Sequence, residues 1–142
     1  MLTVEDEFTR ESLAIEVGGS LPAARVLLVL ERLFEERGVP QGIRSDNGPE
    51  FVALAVKLWL AGKGVHTHFI EPGSPWQNGI AESFNGKLRT ECLNREWFQN
   101  RWFQNRAHAA ALVARYRRYY NEERPHSSLN YLTPVEFRQD YE

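Results

Sequence analysis

The sequence predicts one α/β domain, because strand-like and helix-like segments alternate along its 142 residues. Residues 2–17 are typical of two successive strands, and helical and strand patterns take turns after them. The composition, 42% hydrophobic and 12% aromatic, is that of a globular protein with a packed core. No apolar run reaches the length of a membrane span, and acidic residues at 5–7 do not fit a signal peptide.

The first half of the chain contains the clearest strand and helix boundaries. Leu13–Val17 is the more distinct of the two opening strands. A helix is expected after Gly18 and Gly19, with Ser20 as its N-cap and Pro22 in its first turn. Gly38 ends this helix, and a short strand follows over residues 42–46.

The middle of the chain predicts a helix, a strand and another helix. The first runs from about Glu50 to Ala61 and places four apolar residues on one face: Phe51, Leu54, Leu58 and Ala61. Val65 to Ile70 alternates like a strand, and a loop rich in proline and glycine covers residues 71–78. The next helix begins near Gly79 and continues towards Leu93.

The last third predicts a helix over residues 107–120 and a tail. Thr133 is expected to cap a short final helix that begins at Pro134. Before this part, Trp97–Arg101 is repeated directly as Trp102–Arg106, which we interpret as a small duplication that a surface connection tolerates. We expect residues 1–142 to form one domain, with 107–142 as its C-terminal helix and tail.

Charge is unevenly distributed along the chain. Residues 1–82 hold 7 basic and 12 acidic side chains, whereas residues 83–128 hold 9 basic and 4 acidic ones. The basic segment carries aromatic residues among its arginines, and arginine pairs bidentately with phosphate. This clustering fits a nucleic-acid-binding face, although a solvated helix surface explains the charge equally well.

Two acidic residues stand where ligand groups project from α/β sheets. Asp46 ends a predicted strand, and Glu82 lies in the first turn of a predicted helix. Converging carboxylates suit Mg²⁺ or Mn²⁺, which prefer oxygen ligands. Taken singly, each has a simpler explanation: Asp46 opens an Asp-Asn-Gly turn, and an acid such as Glu82 is stabilised by the helix dipole.

The surroundings of these two acids favour the functional interpretation. Residues 43–51 (Ile-Arg-Ser-Asp-Asn-Gly-Pro-Glu-Phe) and 75–89 (Pro-Trp-Gln-Asn-Gly-Ile-Ala-Glu-Ser-Phe-Asn-Gly-Lys-Leu-Arg) resemble the integrase core of insertion-sequence transposases and retroviral integrases. Tyr-Tyr-Asn at 119–121, Arg-Pro-His at 124–126 and Thr-Pro-Val-Glu-Phe at 133–137 match the closing pattern of the bacterial branch. The resemblance covers nearly the whole chain.

The resemblance implies a ribonuclease-H-like fold, a mixed sheet flanked by helices, with metal-dependent DNA transposition or integration as its activity. Asp46 and Glu82 would be the second and third catalytic acids and would bind Mg²⁺ or Mn²⁺. Four residues on or near the Glu82 helix would contact DNA: Asn78, Asn85, Lys87 and Arg89. The implied partners are transposon-end and target DNA and further copies of the chain, and the implied location is the bacterial cytoplasm, on the nucleoid when DNA is bound.

One part of the family pattern is not matched. The family carries its first catalytic Asp on the strand before the one with which this chain opens, and residues 4–10 match the second strand. We therefore expect Asp6 to be structural and the core to lack its first strand, which a partner chain or an upstream transposase segment would supply. The alternative is a catalytically inactive remnant that only binds DNA or protein.

The remaining candidates are weaker. His66 and His68 alternate on one strand face, where solvent-facing side chains are a better explanation than a metal pair, because no third ligand is in view. His126 lies in a loop beside Arg124 and is a candidate phosphate contact, although histidines in loops usually have no such role. Cys92 is expected to be a core or half-buried thiol.

Overall fold

A computed structural model describes residues 2–18, 22–45, 53–69, 79–93 and 106–141. The chain divides into two compact units, one made of residues 1–18 and 80–142 and the other of residues 19–79. Among the described residues, the strands of the first unit pair antiparallel and those of the second pair parallel, each pair forming a two-stranded sheet.

The first unit begins with a β-hairpin. Strands β1 (Leu2–Glu5) and β2 (Ser12–Glu16) pair antiparallel. Between them, Asp6 accepts hydrogen bonds from the backbone N–H groups of Phe8 at 2.8 Å and Thr9 at 3.0 Å. Asp6 therefore holds the turn, which confirms its expected structural role.

The core of the first unit lies between helix α3 (Gly79–Leu88), the π-helical turn that extends it (Arg89–Leu93) and helix α4 (Arg106–Glu122). Five buried side chains form it: Phe84, Leu88, Cys92, Tyr116 and Tyr120. The first three are spaced four residues apart, so they form one stripe along the helical segment. The buried position of Cys92 confirms the expectation for this thiol.

Side-chain amides and a cap attach the remaining elements of this unit. Asn121 bonds both backbone groups of Ser12, accepting from its N–H and donating to its C=O, each at 2.8 Å. This pairing fastens α4 to β2. Helix α5 (Pro134–Gln139) starts with a capping box between Thr133 and Glu136, as the sequence predicted.

The second unit contains α1 (Ala23–Arg37), β3 (Gly42–Ser45), α2 (Leu54–Gly62) and β4 (His66–Phe69). β3 and β4 pair parallel, with α2 as the crossover between them. The buried apolar residues of this unit come mainly from its two helices: Val26, Val29, Leu30, Leu33, Val56, Leu60 and Val65.

The expected N-cap of the first helix in the second unit was wrong. Pro22 is itself the N-cap of α1 and supplies no side-chain hydrogen bond, while Ser20 lies outside the described residues. The helix expected from Glu50 is described from Leu54, and Leu54 and Leu58 are 70% and 63% exposed. The sequence of α2 is apolar nearly all round, so periodicity alone does not select the buried face.

Candidate active-site helix

Helix α3 carries the candidate catalytic residue Glu82 in its first turn. The Glu82 side chain is exposed, and within the described ranges it makes no hydrogen bond or ion pair. A carboxylate there is stabilised by the helix dipole and keeps its oxygens available to a ligand. Asp46 and Asn78 lie outside the described residues, so the convergence of Asp46 with Glu82 stays a prediction.

The exposed face of α3 contains two of the predicted DNA-contact residues. Asn85 and Arg89 follow Glu82 by three and seven residues, and all three side chains are exposed. At about 100° per residue, these spacings keep them within roughly 60° of Glu82 around the helix. Phe84, 1% exposed, lies on the packed side. Glu82 and Asn85 on α3 and Arg89 at the start of the π-helical turn therefore share one exposed surface.

Lys87 does not share that surface. It follows Glu82 by five residues, which places it about 140° away around the helix, and its side chain is half-buried. Burial lowers the pKa of Lys87, and the nearby positive charge of Arg124 lowers it further, while Glu91 opposes the shift. Lys87 is thus part of a different group of charges, near the end of the helical segment.

That group is organised by Glu91 in the π-helical turn. The Tyr116 hydroxyl donates to Glu91 Oε2 at 2.6 Å, and Arg124 donates from Nε and Nη2 to Glu91 Oε1 at 2.9 and 2.8 Å. Burial works to raise the pKa of Glu91, but the hydrogen bonds from Arg124 and Tyr116 leave it below its usual value. The ion pair connects the turn after α3 to the chain after α4.

Sequence reasoning did not identify this pair. Arg124 belongs to the Arg-Pro-His motif quoted above, which was the available signal, but its partner Glu91 is 33 residues away in the sequence. Burial and the negative charge of Glu91 raise the pKa of Tyr116, so its hydroxyl keeps its proton and remains a donor. Arg124, Lys87 and the single Glu91 leave an excess of positive charge at this end of the helix.

The histidines have structural explanations. His126 is 3% exposed, and its Nε2 lies 3.2 Å from the Tyr120 carbonyl oxygen. Burial lowers the pKa of His126, so it is a neutral core residue, which favours the structural explanation over a contact with phosphate. His66 and His68 are exposed, with ring centroids 4.2 Å apart, as expected for solvent-facing side chains.

A second feature that sequence reasoning missed lies beside Asn85. The Thr3 hydroxyl on β1 donates to Asn85 Oδ1 at 3.1 Å, and Glu5 lies two residues further along the same strand. Glu5 Oε1 is buried without a hydrogen-bond partner. Burial raises the pKa of Glu5 to about 7, against the opposing effect of Thr3.

Two kinds of feature are absent from the described parts of the chain: a metal-binding cluster and a membrane-spanning helix. No cluster of three or more His, Cys, Asp or Glu side chains there has the arrangement of a metal site. None of the helices described has both the length and the apolar character to cross a bilayer.

Solved structures show the class of fold. The chain superimposes on the HTLV-2 integrase catalytic core domain, described as in complex with magnesium and in a trimeric form, with a TM-score of 0.70. The match covers 94% of this chain and 80% of that one at 14% sequence identity, so it bears on the fold alone. The fold is that of a retroviral-integrase-like catalytic core, which confirms the expected ribonuclease-H-like class.

Sequence comparisons then show the family. Two profiles described as integrase core domain match residues 1–75 and 63–134, and the chain belongs to this family. It is 46% identical over 136 residues to the insertion element IS407 uncharacterized 31.7 kDa protein of Burkholderia multivorans, covering 96% of this chain. It is 44% identical over 140 residues to the insertion element IS476 uncharacterized 39.2 kDa protein of Xanthomonas euvesicatoria, covering 99%. The chain spans 47% and 39% of the lengths of these two relatives.

Proposed function

We propose that this chain is part of the catalytic core of an insertion-sequence transposase and acts in metal-dependent transfer of DNA strands. The observation that carries the proposal is the exposed surface of α3, where Glu82, Asn85 and Arg89 lie together in a member of the integrase core family. The carboxylate can bind a metal ion, and the amide and the guanidinium beside it can donate hydrogen bonds to phosphate oxygens. Together these three groups suit a phosphodiester backbone.

The donor chemistry of the site fits a divalent metal ion. Glu82 offers carboxylate oxygens that no other described residue engages, and oxygen donors are what Mg²⁺ and Mn²⁺ prefer. Glu82 would hold the ion together with Asp46. When bound, the ion would activate a water or a 3′-hydroxyl and stabilise the leaving oxygen of an in-line displacement.

The chain's own residues would position the DNA. Arg89 would contact phosphate oxygens beside the scissile bond, and Asn85 would donate from its amide to the same backbone. Asn78, immediately before α3, and Lys87 would extend the contacts to either side. Such binding is mostly sequence-independent and weakens as salt rises, because phosphate contacts release counterions.

The working assembly would include more than one chain. DNA transposition joins two element ends to a target, so we propose that the protein acts as a homo-oligomer on transposon-end and target DNA. Its place of action would be the bacterial cytoplasm, on the nucleoid. The solved relative described as a trimeric form is consistent with self-association of this fold.

The test combines metal binding with catalysis. Paramagnetic broadening of NMR signals by Mn²⁺ should centre on residues around Glu82, and Glu82→Gln should remove it. In the presence of the segment that supplies the first catalytic Asp, the same substitution should lower Mn²⁺-dependent nicking and joining of element-end DNA by on the order of 100-fold or more, with DNA affinity kept. Glu122→Gln, which neutralises an exposed acid on α4, is the matched control and should change neither readout.

The outcomes separate the two functions considered. Equal Mn²⁺ broadening and equal nicking in Glu82→Gln and Glu122→Gln would disprove the catalytic assignment of Glu82. DNA binding without nicking, even with Mn²⁺ bound beside Glu82, would favour a binding-only role.

A further inference from the structure

One side-chain hydrogen bond joins the opening hairpin to the exposed face of α3. The Thr3 hydroxyl on β1 donates to Asn85 Oδ1 at 3.1 Å, across 82 residues of sequence. Both residues belong to the first compact unit, where Thr3 is half-buried and Asn85 is exposed. The bond therefore holds a surface amide by one of its two ends.

Both partners of this bond stand on a fixed backbone. Thr3 pairs with Ile15 in the antiparallel ladder of β1 and β2, and its branched Cβ leaves its side chain few rotamers. Asn85 follows Phe84, which is 1% exposed and packs edge-on against Tyr120 with ring centroids 4.9 Å apart. Because Phe84 fixes the rotation of α3 about its axis, the Asn85 side chain starts from a defined place beside β1.

The hydrogen bond decides which end of the Asn85 amide faces solvent. A side-chain amide carries an acceptor oxygen and a nitrogen with two donor hydrogens on the two sides of Cγ. With Oδ1 held against β1 by the Thr3 hydroxyl, Nδ2 lies on the side away from the strand. Nδ2 makes no hydrogen bond with the described residues, so its hydrogens are available to a ligand.

Outward-facing hydrogens are what a phosphate group needs. Phosphate oxygens accept hydrogen bonds, so an amide that presents Nδ2 binds them and one that presents Oδ1 repels them. Without the Thr3 hydroxyl, the amide can turn by half a rotation and can take either of the two χ1 positions that are common in helices. One of about four orientations would then suit the phosphate, and affinity falls in proportion to that fraction.

We propose that Thr3 is a positioning residue for DNA binding: its hydroxyl holds the oxygen of the Asn85 amide against β1, so that the amide hydrogens meet a phosphate of the DNA backbone. The inference rests on the proposed function, since the contact between Asn85 and DNA is itself proposed. It adds a residue of the opening strand, far from α3 in the sequence, to the residues that determine DNA affinity.

The salt dependence of binding separates this role from that of Arg89. The amide is neutral, so its contact with phosphate releases no counterion, whereas loss of an arginine contact lowers the slope of log affinity against log salt. A change confined to the Asn85 amide should therefore weaken binding by the same factor at every salt concentration. A change that disturbs the whole exposed surface should also lower the slope, because Arg89 shares that surface.

The first experiment measures the mobility of the Asn85 side-chain amide by NMR relaxation in the chain without DNA. The exposed side chain of Asn130, which makes no hydrogen bond with the described residues, is the internal reference for a mobile amide. We expect the Asn85 amide to be more ordered than that of Asn130, to become as mobile in Thr3→Val and to stay ordered in Thr3→Ser, which keeps the hydroxyl. Equal mobility of the two amides in the wild type would overturn the proposal.

The second experiment measures affinity for a short duplex DNA over a range of salt concentrations. Thr3→Val should weaken binding about two- to fourfold at each concentration with the slope unchanged, and Thr3→Ser should restore the affinity. Thr67→Val, which changes a half-buried strand threonine of the second unit, is the matched control and should bind like the wild type. A lower slope in Thr3→Val, equal losses in the two valine variants or no recovery in Thr3→Ser would refute the role of the hydroxyl.

A double-mutant cycle separates failure of this inference from failure of the proposed function. Asn85→Ala should lose about three- to tenfold in affinity, the worth of one net hydrogen bond, and Thr3→Val should cost nothing further in that background. If Asn85→Ala weakens binding but Thr3→Val does not, the DNA contact stands and the role of Thr3 is wrong. If Asn85→Ala binds like the wild type, the DNA contact is wrong as well. Thr3→Ala removes the same hydroxyl and replaces Thr3→Val if that variant does not fold.

Discussion

The two ends of the helical segment formed by α3 and the π-helical turn place a glutamate in opposite environments. Glu82, at the start of α3, is exposed and has no partner among the described residues. Glu91, nine residues later in the π-helical turn, accepts hydrogen bonds from Tyr116 and Arg124. The Glu91 end, which we call the fastened end, anchors the helix against α4. The Glu82 end, the free end, can therefore present its carboxylate to a ligand, because this side chain is not needed to hold the helix in place. The hydrogen-bond partners thus distinguish Glu91, which contributes to stability, from Glu82, which is available for binding.

The largest expected effect comes from the packed side of the same helix. Phe84→Ala should destabilise the protein by about 3–5 kcal/mol, because a fully buried aromatic side chain is replaced by a cavity. Asn85→Ala, the adjacent exposed residue, should change the free energy of unfolding by less than about 0.5 kcal/mol. Urea denaturation monitored by circular dichroism measures both, and similar losses would show that α3 has no distinct free face.

Glu5 adds a third glutamate to the comparison, and its effect on stability should depend on pH. The pKa of Glu5 is raised from 4.5 to about 7 in the folded protein. Between these values the folded state keeps a proton that the unfolded state has released, so stability falls as pH rises through this window. Glu5→Gln should therefore be more stable than the wild type by about 2–3 kcal/mol at pH 8 and should lose that advantage at pH 4. A constant difference between the two proteins from pH 4 to pH 8 would contradict the raised pKa.

Loss of the Glu91 carboxylate at the fastened end should lower the stability of the protein. Glu91→Ala leaves Arg124 and the Tyr116 hydroxyl without their acceptor, and we expect a destabilisation of about 2 kcal/mol. The matched substitution at the free end, Glu82→Ala, should stay within about 0.5 kcal/mol of the wild type. Thermal and urea unfolding at pH 7 measure the free energy of unfolding of the two variants. Equal values would show that the two glutamates do not differ in their contribution to stability.

The smallest effect on stability and the clearest one on binding should come from Arg89. Arg89→Ala should leave the free energy of unfolding unchanged within about 0.5 kcal/mol and lower the slope of log affinity against log salt by about 0.9, the loss of one phosphate contact. Arg118→Ala removes an exposed arginine from α4 and serves as the control. If both substitutions lower the slope alike, binding follows general charge and not the face of α3.

Local rules explain which parts of the fold could be predicted. The Thr133–Glu136 capping box, the turn held by Asp6 and the exposed face of Glu82, Asn85 and Arg89 depend on residues within a few positions of one another. Leu54 and Leu58 show where such rules fail, because Val56 and Leu60 have the same spacing and the tertiary packing buried those instead. The predicted meeting of Asp46 with Glu82 lies outside the described residues and remains a prediction.

The sequence by itself determined the order of strands and helices, the cap of the final helix and the family motifs, since each depends on the spacing of nearby residues. Only the tertiary structure decided the partners of Glu91 and Asn85. Glu91 meets Arg124 across 33 residues, and Thr3 on the strand of Glu5 meets Asn85 across 82. Charge and hydrogen-bonding capacity can be read from a side chain's identity, but whether a carboxylate is paired, free or titratable depends on which distant groups the fold packs around it.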